Sequence, residues 1–496
     1  MNTALLLEMA ADGAPDRVAV GSLTGGITYS QLLERSRRAA TWVHETGCDQ
    51  VGLVDLNSPA VPVLLFGSAL AGRPFVPVSY RLAEEQLQAL VGSLAPAAFV
   101  VGEDVPSDLG SVAGITSTTR GRLLEHSLSA APYEGPGAAG EDVAVLLPTS
   151  GTTGTPKVAV LRHDHLTSYV LGTVDFLGAD EDEAALVSVP PYHVAGLSAV
   201  LSSVYGGRRL VQLASFTAEA WVEAALEESI THAMVVPTML GRILDVLTER
   251  GQGLPCLRHL SYGGGRMPLS VVERALEVLP DVDFVNAYGL TETSSTVSVL
   301  GPRDHRDAAA SSDPATRRRL ASVGRPIETL ELEIRDSAGG LVPLGTRGEI
   351  WVRGPQVAGE YLTHSVLGEG GWFPTKDAGW RDEAGFLYLD GRMDDVIVRG
   401  AENLSPGEIE DVLLEHPAVA EAAVVGVPDE TWGEQVVAAV VLAPECTAGE
   451  QELQAWVRDR LRSTRTPARV EFREALPYNE TGKLLRRILR EEVGAP

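Results

Sequence analysis

The sequence predicts an α/β protein in two parts: a large layered N-terminal domain with mainly parallel sheets plus a β-rich subdomain, and a small α+β C-terminal domain. Three observations carry this. Up to about residue 300, apolar runs of strand length (143–147, 185–189, 232–236, 259–262 and 283–287) alternate with helical patterns such as 218–228 and 269–278. Strands alternating with helices build parallel sheets with helices on their faces. Beyond that point the rhythm changes: 330–335, 349–353 and 386–389 are strands separated by the turn signals 336–340, 345–348 and 382–385, an antiparallel pattern. From Asp394 a compact unit follows, with strands at 422–427 and 435–442 and helices at 406–415 and 450–462. The boundary falls near Met393, giving domains of residues 1–393 and 394–496. A chain of 496 residues exceeds what one core supports, so two domains or more are required. The polar, charge-mixed segment 303–319 reads as a solvated loop.

Hydrophobic content of 44% with 22% charged residues is that of a soluble globular protein. A formal net charge of −27 excludes a nucleic-acid partner, which requires a basic face. Cys48, Cys256 and Cys446 are odd in number and in no metal-ligand spacing, which fits a reducing cytoplasm and neither a disulfide framework nor a zinc site. The N-terminal MNTALLLEMAADGAPD has no basic region and carries Glu8 and Asp12, so no signal peptide is expected. The most apolar window, 61–78, is broken by Gly, Pro and Arg73 and suits a buried α/β segment, not a membrane span. The oligomeric state, monomer or homodimer, is left open.

Residues 146–160 read LLPTSGTTGTPKVAV, a loop of Gly, Ser and Thr closed by Pro156 and Lys157. Glycines let backbone N–H groups approach an anion, and hydroxyls add donors, so the loop suits phosphate. It is not a P-loop: Pro156 stands where that motif has glycine, and Val158 replaces its Mg²⁺-binding hydroxyl. The run after Lys157 is apolar with β-propensity, which predicts a strand–loop–strand hairpin. Only three of the 40 cationic side chains are lysines, namely Lys157, Lys376 and Lys483, and each lies in a motif. A compact ammonium and a planar guanidinium are chemically distinct, so this retention is informative.

Four further stretches bear on the loop: NAYGLTETSS (286–295), GWFPTKDAGW (371–380), DGRMDDVIVRGAENLSPGEIE (390–410) and LPYNETGKLLRR (476–487). With TSGTTGTPK, in this order and spacing, they resemble the adenylate-forming superfamily of acyl-CoA synthetases, amino-acid-activating domains and luciferases, in its acyl- or aryl-CoA synthetase subclass. ITYSQLLERSRRAATWV (27–43) and FGSALAGRPFVPVSYRLAEEQL (66–87) extend the resemblance across the chain. It implies activation of a carboxylic acid by ATP and Mg²⁺ as an acyl-adenylate, then transfer to a thiol. Attack of one anion on a polyanion needs donors and cations where charge accumulates, and a metal on the leaving group.

Carried over by resemblance, Thr149, Ser150, Gly151, Thr152, Thr153, Gly154 and Lys157 hold the β- and γ-phosphates. Glu292 is the Mg²⁺ ligand and Thr291 contacts phosphate. Tyr288 stacks on adenine, with a core tyrosine as the alternative reading. Asp377 accepts from both ribose hydroxyls, supported by Arg392. Gly264, Gly265, Asn286, Ala287 and Gly289 complete the nucleotide set. Lys483 bridges the carboxylate and the α-phosphate. The small domain is mobile in the family, pivoting at the position matched by Asp394; after rotation Arg399, Gly400, Ala401, Glu402 and Asn403 line the thiol's tunnel. Two positions depart from the pattern. Lys376 replaces the glycine that usually precedes the aspartate, and either helps to bind phosphate or points to solvent. Asn403 stands where many relatives have Arg or Lys, as in fatty- and aryl-acid ligases.

In PPYHVAGLSAV (190–200) no carboxylate is present to pair an amino acid's ammonium. The stretch resembles the P-x-[FY]-H-x-x-G of acyl- and aryl-CoA synthetases, in which His193 gates or orients the substrate carboxylate, with a structural histidine as the alternative reading. SYGGGRMP (261–268) forms another wall. The expected substrate is a hydrophobic fatty, aryl or alicyclic acid. Only 13 residues follow Lys483, so no carrier domain is fused and the acceptor is free coenzyme A, with a separate carrier protein as the alternative.

Overall fold

In the computed structural model, which describes residues 1–149, 157–400, 402–429, 431–478 and 484–494, four sheets organise the chain. The first has nine strands, and its centre is parallel, running from Val18–Val20 through Arg209–Gln212, Ala184–Val187, His232–Val235 and His259–Gly263 to Asp283–Leu290. Both margins are antiparallel. The second sheet has eight strands, parallel from Val143–Thr149 through Phe75–Pro77, Gln50–Val54 and Ala97–Val101 to Ile115–Thr119. Its other side is antiparallel, where Lys157–Arg162 returns beside Val143–Thr149. The expected hairpin around the phosphate-loop motif is therefore present, and no helix follows Lys157 until His163. One apolar core joins both sheets through the helices Tyr29–Glu45, Ala60–Leu70 and Val194–Gly206. Ala60–Leu70 is apolar all round and almost wholly buried, which accounts for the apolar window without a membrane.

The third sheet, antiparallel throughout, joins Glu331–Arg335, Gly348–Arg353, Phe373–Arg381 and Leu387–Arg392. The fourth, with five strands, is built from Ile397–Arg399, Glu402–Leu404, Val419–Asp429, Gly433–Leu442 and Arg469–Phe472. It packs on Pro406–Leu414 and Glu450–Arg460 around its own core of Ile397, Leu404, Leu413, Val436 and Leu453. The sheet classes follow the expected order along the chain.

Segment 303–319 corrects the sequence reading of a loop: it forms the helix Pro302–Ala310, a turn at Pro314–Arg317 and a 3₁₀ turn at Arg318–Ala321. Proline opens each of the two α-helical pieces, and the Asp313 carboxylate accepts from the Thr316 amide at 2.9 Å. The buried face of the first helix is narrow, with His305 and Ala308 three residues apart. A histidine and one alanine among charges leave no apolar stripe for a periodicity scan to detect. His305 Nδ1–H donates to the Gly301 carbonyl, and its Nε2 accepts from the Tyr262 hydroxyl at 2.8 Å.

Among the described residues, no helix is long and apolar enough to cross a membrane.

Candidate functional site

Three structural units meet at the motif residues. The first is the turn between strands Asp283–Leu290 and Ser295–Leu300, where Thr291–Thr293 make a 3₁₀ turn. The buried Thr293 hydroxyl accepts from the Leu290 amide and donates to the carbonyls of Leu290 and Ser295, closing the turn on itself. Gln356 donates to the carbonyls of Thr293 and Thr296, and the Ala358 amide donates to the Glu292 carbonyl at 2.8 Å. Glu292 is thus fixed by its backbone, with Thr291 beside it. Gly289 faces the Ser295 carbonyl so closely that a Cβ would lie 1.7 Å from its oxygen, so only glycine fits. Ser294 and Ser295 have φ of +54° and +123°, a backbone conformation that non-glycine residues adopt at a cost.

The second unit is the hairpin that carries the phosphate-loop motif. Thr149 lies opposite Lys157 and donates its hydroxyl to the Lys157 carbonyl at 3.1 Å. Ser150, Gly151, Thr152, Thr153 and Gly154 lie outside the described residues. Tyr361 pairs with Ala159 across the next strand, held there by a two-pronged Arg162–Glu360 contact at 3.0 and 2.8 Å. Its ring lies 5.7 Å from the Lys157 ammonium, and its hydroxyl donates to the Glu292 carboxylate. Burial, and then the Glu292 charge, push the Tyr361 hydroxyl up, so it stays a donor at neutral pH. Lys157, Tyr361 and Glu292, from three separate segments, are brought together.

The third unit is the antiparallel pair Phe373–Arg381 and Leu387–Arg392, whose register sets Asp377 opposite Arg392. Arg392 donates to Asp377 Oδ1 at 3.0 Å and to the Thr375 carbonyl at 3.1 Å, and the Tyr288 hydroxyl donates to Asp377 Oδ2 at 2.6 Å. Thr375 accepts from the Asp377 amide and donates to the Ile350 carbonyl. Each carboxylate oxygen keeps a lone pair for a further donor. Burial works against the Arg392 charge, but Asp377 beside it outweighs that and holds the guanidinium charged. Tyr288 is buried, and burial with Asp377 raises its hydroxyl well above the usual range. Its ring packs with Val297, Leu330 and Val352 in the core under the third sheet.

Lys376 has φ of +62°, which explains why glycine usually fills this position. Its ammonium makes an ion pair with Glu349 at 3.3 Å.

On the acid side, His193 caps the start of helix Val194–Gly206 with extended φ/ψ, and its Nε2 is buried without a hydrogen-bond partner. Burial, reinforced by the Arg81 charge, pushes the imidazole down to about 4, so it is neutral at pH 7. A neutral, unpartnered ring nitrogen suits an incoming polar group, since a buried polar atom without a partner is costly. The glycine run 263–265 follows a strand registered against Asp283–Leu290, placing Gly263 opposite Ala287. Gly264 is left-handed, φ +77°, and Gly265 has only Pro237 near its Cβ position. The Asn286 amide is engaged elsewhere, donating to the Ser322 carbonyl at 3.1 Å.

In the C-terminal part, Met393–Asp395 form one 3₁₀ turn between two strands, with Asp394 at its middle. Ile397–Arg399 and Glu402–Leu404 make a tight hairpin with Val398 opposite Asn403 and Arg399 opposite Glu402. It rests on the loop around Thr464, which accepts from Arg399 at 2.7 Å and donates to Glu402 at 3.0 Å, while the Gly400 amide donates to the Trp432 carbonyl. Ala401 and Lys483 lie outside the described residues. Arg266 pairs with Asp411 across the two parts of the chain, and Arg347, which holds Asp390 at 3.0 Å within the first part, reaches Glu408 of the second at 4.0 Å.

Sequence reasoning missed Tyr361, Gln356 and Thr375, which position Glu292 and Asp377. None stands in a phosphate- or metal-binding pattern; the two-residue strand that carries Tyr361 leaves no periodic signal.

Among the described residues no group of three or more His, Cys, Asp or Glu could hold a metal. A single accessible carboxylate, Glu292, fits Mg²⁺ that arrives on a nucleotide, since Mg²⁺ is commonly held by one or two carboxylates plus substrate phosphates. The doubly anchored Asp377 likewise fits a ribose diol. These features suit an enzyme that handles a nucleotide.

Residues 7–362 match the AMP-binding enzyme family and residues 408–483 its C-terminal domain. The chain belongs to the AMP-binding enzyme family, and it is an ATP-dependent, AMP-forming carboxylic acid ligase. It is 33% identical over 492 residues to a feruloyl-CoA synthase of Amycolatopsis sp, covering 97% of both chains. It is 33% identical over 505 residues to a fatty acid–[acyl-carrier-protein] ligase of Streptomyces coeruleorubidus, covering 94% of this chain and 91% of the relative. Among solved structures, the o-succinylbenzoate coenzyme A synthetase of Bacillus subtilis in complex with ATP and magnesium ion superposes with a TM-score of 0.84 at 27% identity, over 97% of this chain and 98% of the other.

Proposed function

We propose that the chain joins a hydrophobic acid lacking an ammonium group, most suitably an aryl acid, to coenzyme A through an acyl-adenylate. The observation that carries this is the gathering of Lys157 and Tyr361 around Glu292, with the Arg392–Asp377–Tyr288 set as a second, polar anchor. In this reading Glu292 holds the Mg²⁺ that accompanies ATP, and Tyr361 orients that carboxylate. Lys157 and the loop before it neutralise the departing pyrophosphate, with Thr149 and Thr291 at its edges. Asp377 and Arg392 fix the ribose, while Gly264, Gly265, Ala287 and Gly289 leave room for the base. Tyr288 serves through its hydroxyl on Asp377 as much as through its face. His193 orients the acid's carboxylate, and Lys483 bridges it to the α-phosphate. The boundary near Met393, with Asp394 as pivot, and the tunnel formed by 399–403 belong to the thiol step.

Residues 190–200 contain no carboxylate to hold an ammonium group, which supports a non-amino acid. The feruloyl-CoA and o-succinylbenzoate relatives support an aryl acid and coenzyme A. The carrier-protein ligase supports a second acceptor, a separate carrier's phosphopantetheine thiol. Three cysteines, all unpaired, support a cytoplasmic setting.

The test is a panel of acids scored by pyrophosphate release, followed by thiol acceptors offered to the adenylate formed. Hydrophobic acids should drive release and coenzyme A should consume the adenylate. An α-amino acid as the best substrate would overturn the acid assignment. Consumption by a carrier protein alone would overturn the acceptor.

A further inference from the structure

A cavity of about 160 Å³ lies between the helix Val194–Gly206 and the strands Ala184–Val187, His232–Val235 and His259–Gly263. Its near end is formed by Val189 and Ser261, the first just before the PPYH motif and the second just before the glycine run. One side is the stripe Ala195, Ala199 and Ser203, three small residues at successive turns of the helix. The far end holds His232 and His259, adjacent in register, with ring centroids 4.6 Å apart and nearly parallel. The cavity therefore leads away from the acid-binding motif toward a polar terminus.

Its dimensions suit one aromatic ring. An apolar cavity of about 150 Å³ accepts a benzene-sized molecule. Ala195 to Ser203 spans eight residues, about 12 Å at the helical rise. Ser261 to His259 is two residues along a strand, about 7 Å. A ring with a short linker to the carboxylate matches that length.

The chemistry at the far end selects the substituent. Arg208 is already satisfied, with Nε and Nη2 both donating to Glu183 at 2.9 and 2.8 Å. His232 Nδ1 is taken by the Thr231 hydroxyl at 2.9 Å, leaving Nε2 for a ligand. Burial, with Arg208 and His259 nearby, pushes His232 down to about 3, so the ring is neutral. Glu183 lies 3.7 Å from His232 and is paired with Arg208 and Arg258, and Asp283 lies 3.8 Å from His259 and is paired with Arg306, so the charges around the two rings offset one another. A neutral hydroxyl, which donates and accepts, is the group that fits at the edges of two stacked imidazoles.

We propose that this terminus binds a hydroxyl on the ring of an aryl acid, distal to the reacting carboxylate, with His232 and His259 as the residues that recognise it. The inference rests on the acid-activating function proposed above. A site built to hydrogen-bond a hydroxyl discriminates strongly against the analogue that lacks it, because its own polar groups are then left unpaired.

The experiment compares cinnamic acid with its 4-hydroxy derivative by pyrophosphate release in the parent, His232→Leu, His259→Leu and His259→Gln. The parent should prefer the hydroxylated acid by at least about tenfold in kcat/KM. Both leucine variants should bring that ratio to near unity while cinnamic acid itself is used at the parent rate; His259→Gln, which keeps a hydrogen-bonding head, should retain part of the preference. The cinnamic acid rate is the internal check on folding. No preference in the parent, or a preference unchanged in the leucine variants, overturns the inference and leaves the acid-activating function standing. No pyrophosphate release with any aryl acid overturns both. Should the leucine variants fail to fold, the parent ratio and His259→Gln decide.

Discussion

Lys376 shows how one residue can look functional in a sequence and be structural in the fold. As an ammonium next to the ribose-anchoring Asp377 it invites a phosphate role, but it is left-handed and spends its charge on Glu349. Lys376→Gly relieves the left-handed backbone, which costs a non-glycine residue about 1 kcal/mol or more, and loses a half-exposed ion pair worth at most about that amount. The variant should be as stable as the parent to within about 1 kcal/mol, with an unchanged KM for ATP. Thermal unfolding and an ATP titration check this. A KM for ATP raised about tenfold or more would mean the ammonium reaches the nucleotide. The same scale shows what sequence reading could and could not find. Glu292, Asp377, Arg392 and Lys157 were legible because their chemistry is written in short motifs. Tyr361 was not, because its role comes from a pairing with Ala159, some two hundred positions away in the chain. The non-glycine left-handed sites Ser294 and Ser295 were equally invisible, since their strain exists only once the turn is closed by Thr293 and Gln356.

At the scale of elements, apolar periodicity worked where burial is broad and failed where it is narrow. The strands of the first sheet were legible because parallel strands covered on both faces are continuous apolar runs. The helix Pro302–Ala310 was not, because it hides only His305 and Ala308, and what holds it is a histidine sandwiched between Tyr262 and a backbone carbonyl. Helix Val194–Gly206 illustrates a third case: the stretch 190–200 was read for its acid-binding motif, and the small face of the helix that follows lines the cavity and sets its width. Ala199 sits midway along that face. Ala199→Phe should fill the channel at this level, so an acid no longer than benzoate should still be activated while cinnamic acids lose about 30-fold or more in kcat/KM. The KM for ATP should not change, since the nucleotide residues lie on other elements. Equal losses for short and long acids would show that the substrate does not extend along this helix.

On the whole-molecule scale the proposed reaction needs the two parts of the chain to cooperate, and the residues just beyond the motif lysine show which sheet that end of the chain is tied to. Arg486, three residues beyond Lys483, is partly buried and donates to both oxygens of the buried Glu410 at 2.6 and 2.9 Å and to the Val424 carbonyl at 2.7 Å. Burial tends to raise the Glu410 carboxyl, but Arg486 overrides it and the net shift is downward. Breaking such a buried pair is costly, so the segment from 484 onward moves with the fourth sheet. Across the junction, the polar contacts among the described residues include Arg266 with Asp411, Arg347 weakly with Glu408, and Ser405 on the Asp390 carbonyl. In the proposed function a lysine on this end of the chain, which follows the turn Met393–Asp395, serves one step and is withdrawn for the next. Lys483→Ala should therefore separate the half-reactions. Removing a preorganised donor that meets charge in the transition state costs about 10²–10³ in rate, so acyl-adenylate formation should fall by at least that much. Given synthetic acyl-adenylate and coenzyme A, the same preparation should form thioester at the parent rate. Lys483→Arg should not restore the first step, because a wide planar head cannot take the place of a compact ammonium between two anions. The measurement is the pair of half-reaction rates on one preparation of each variant. Comparable slowing of both would assign Lys483 to folding or surface charge, and the alternation of the two parts around Asp394 would lose its chemical reason.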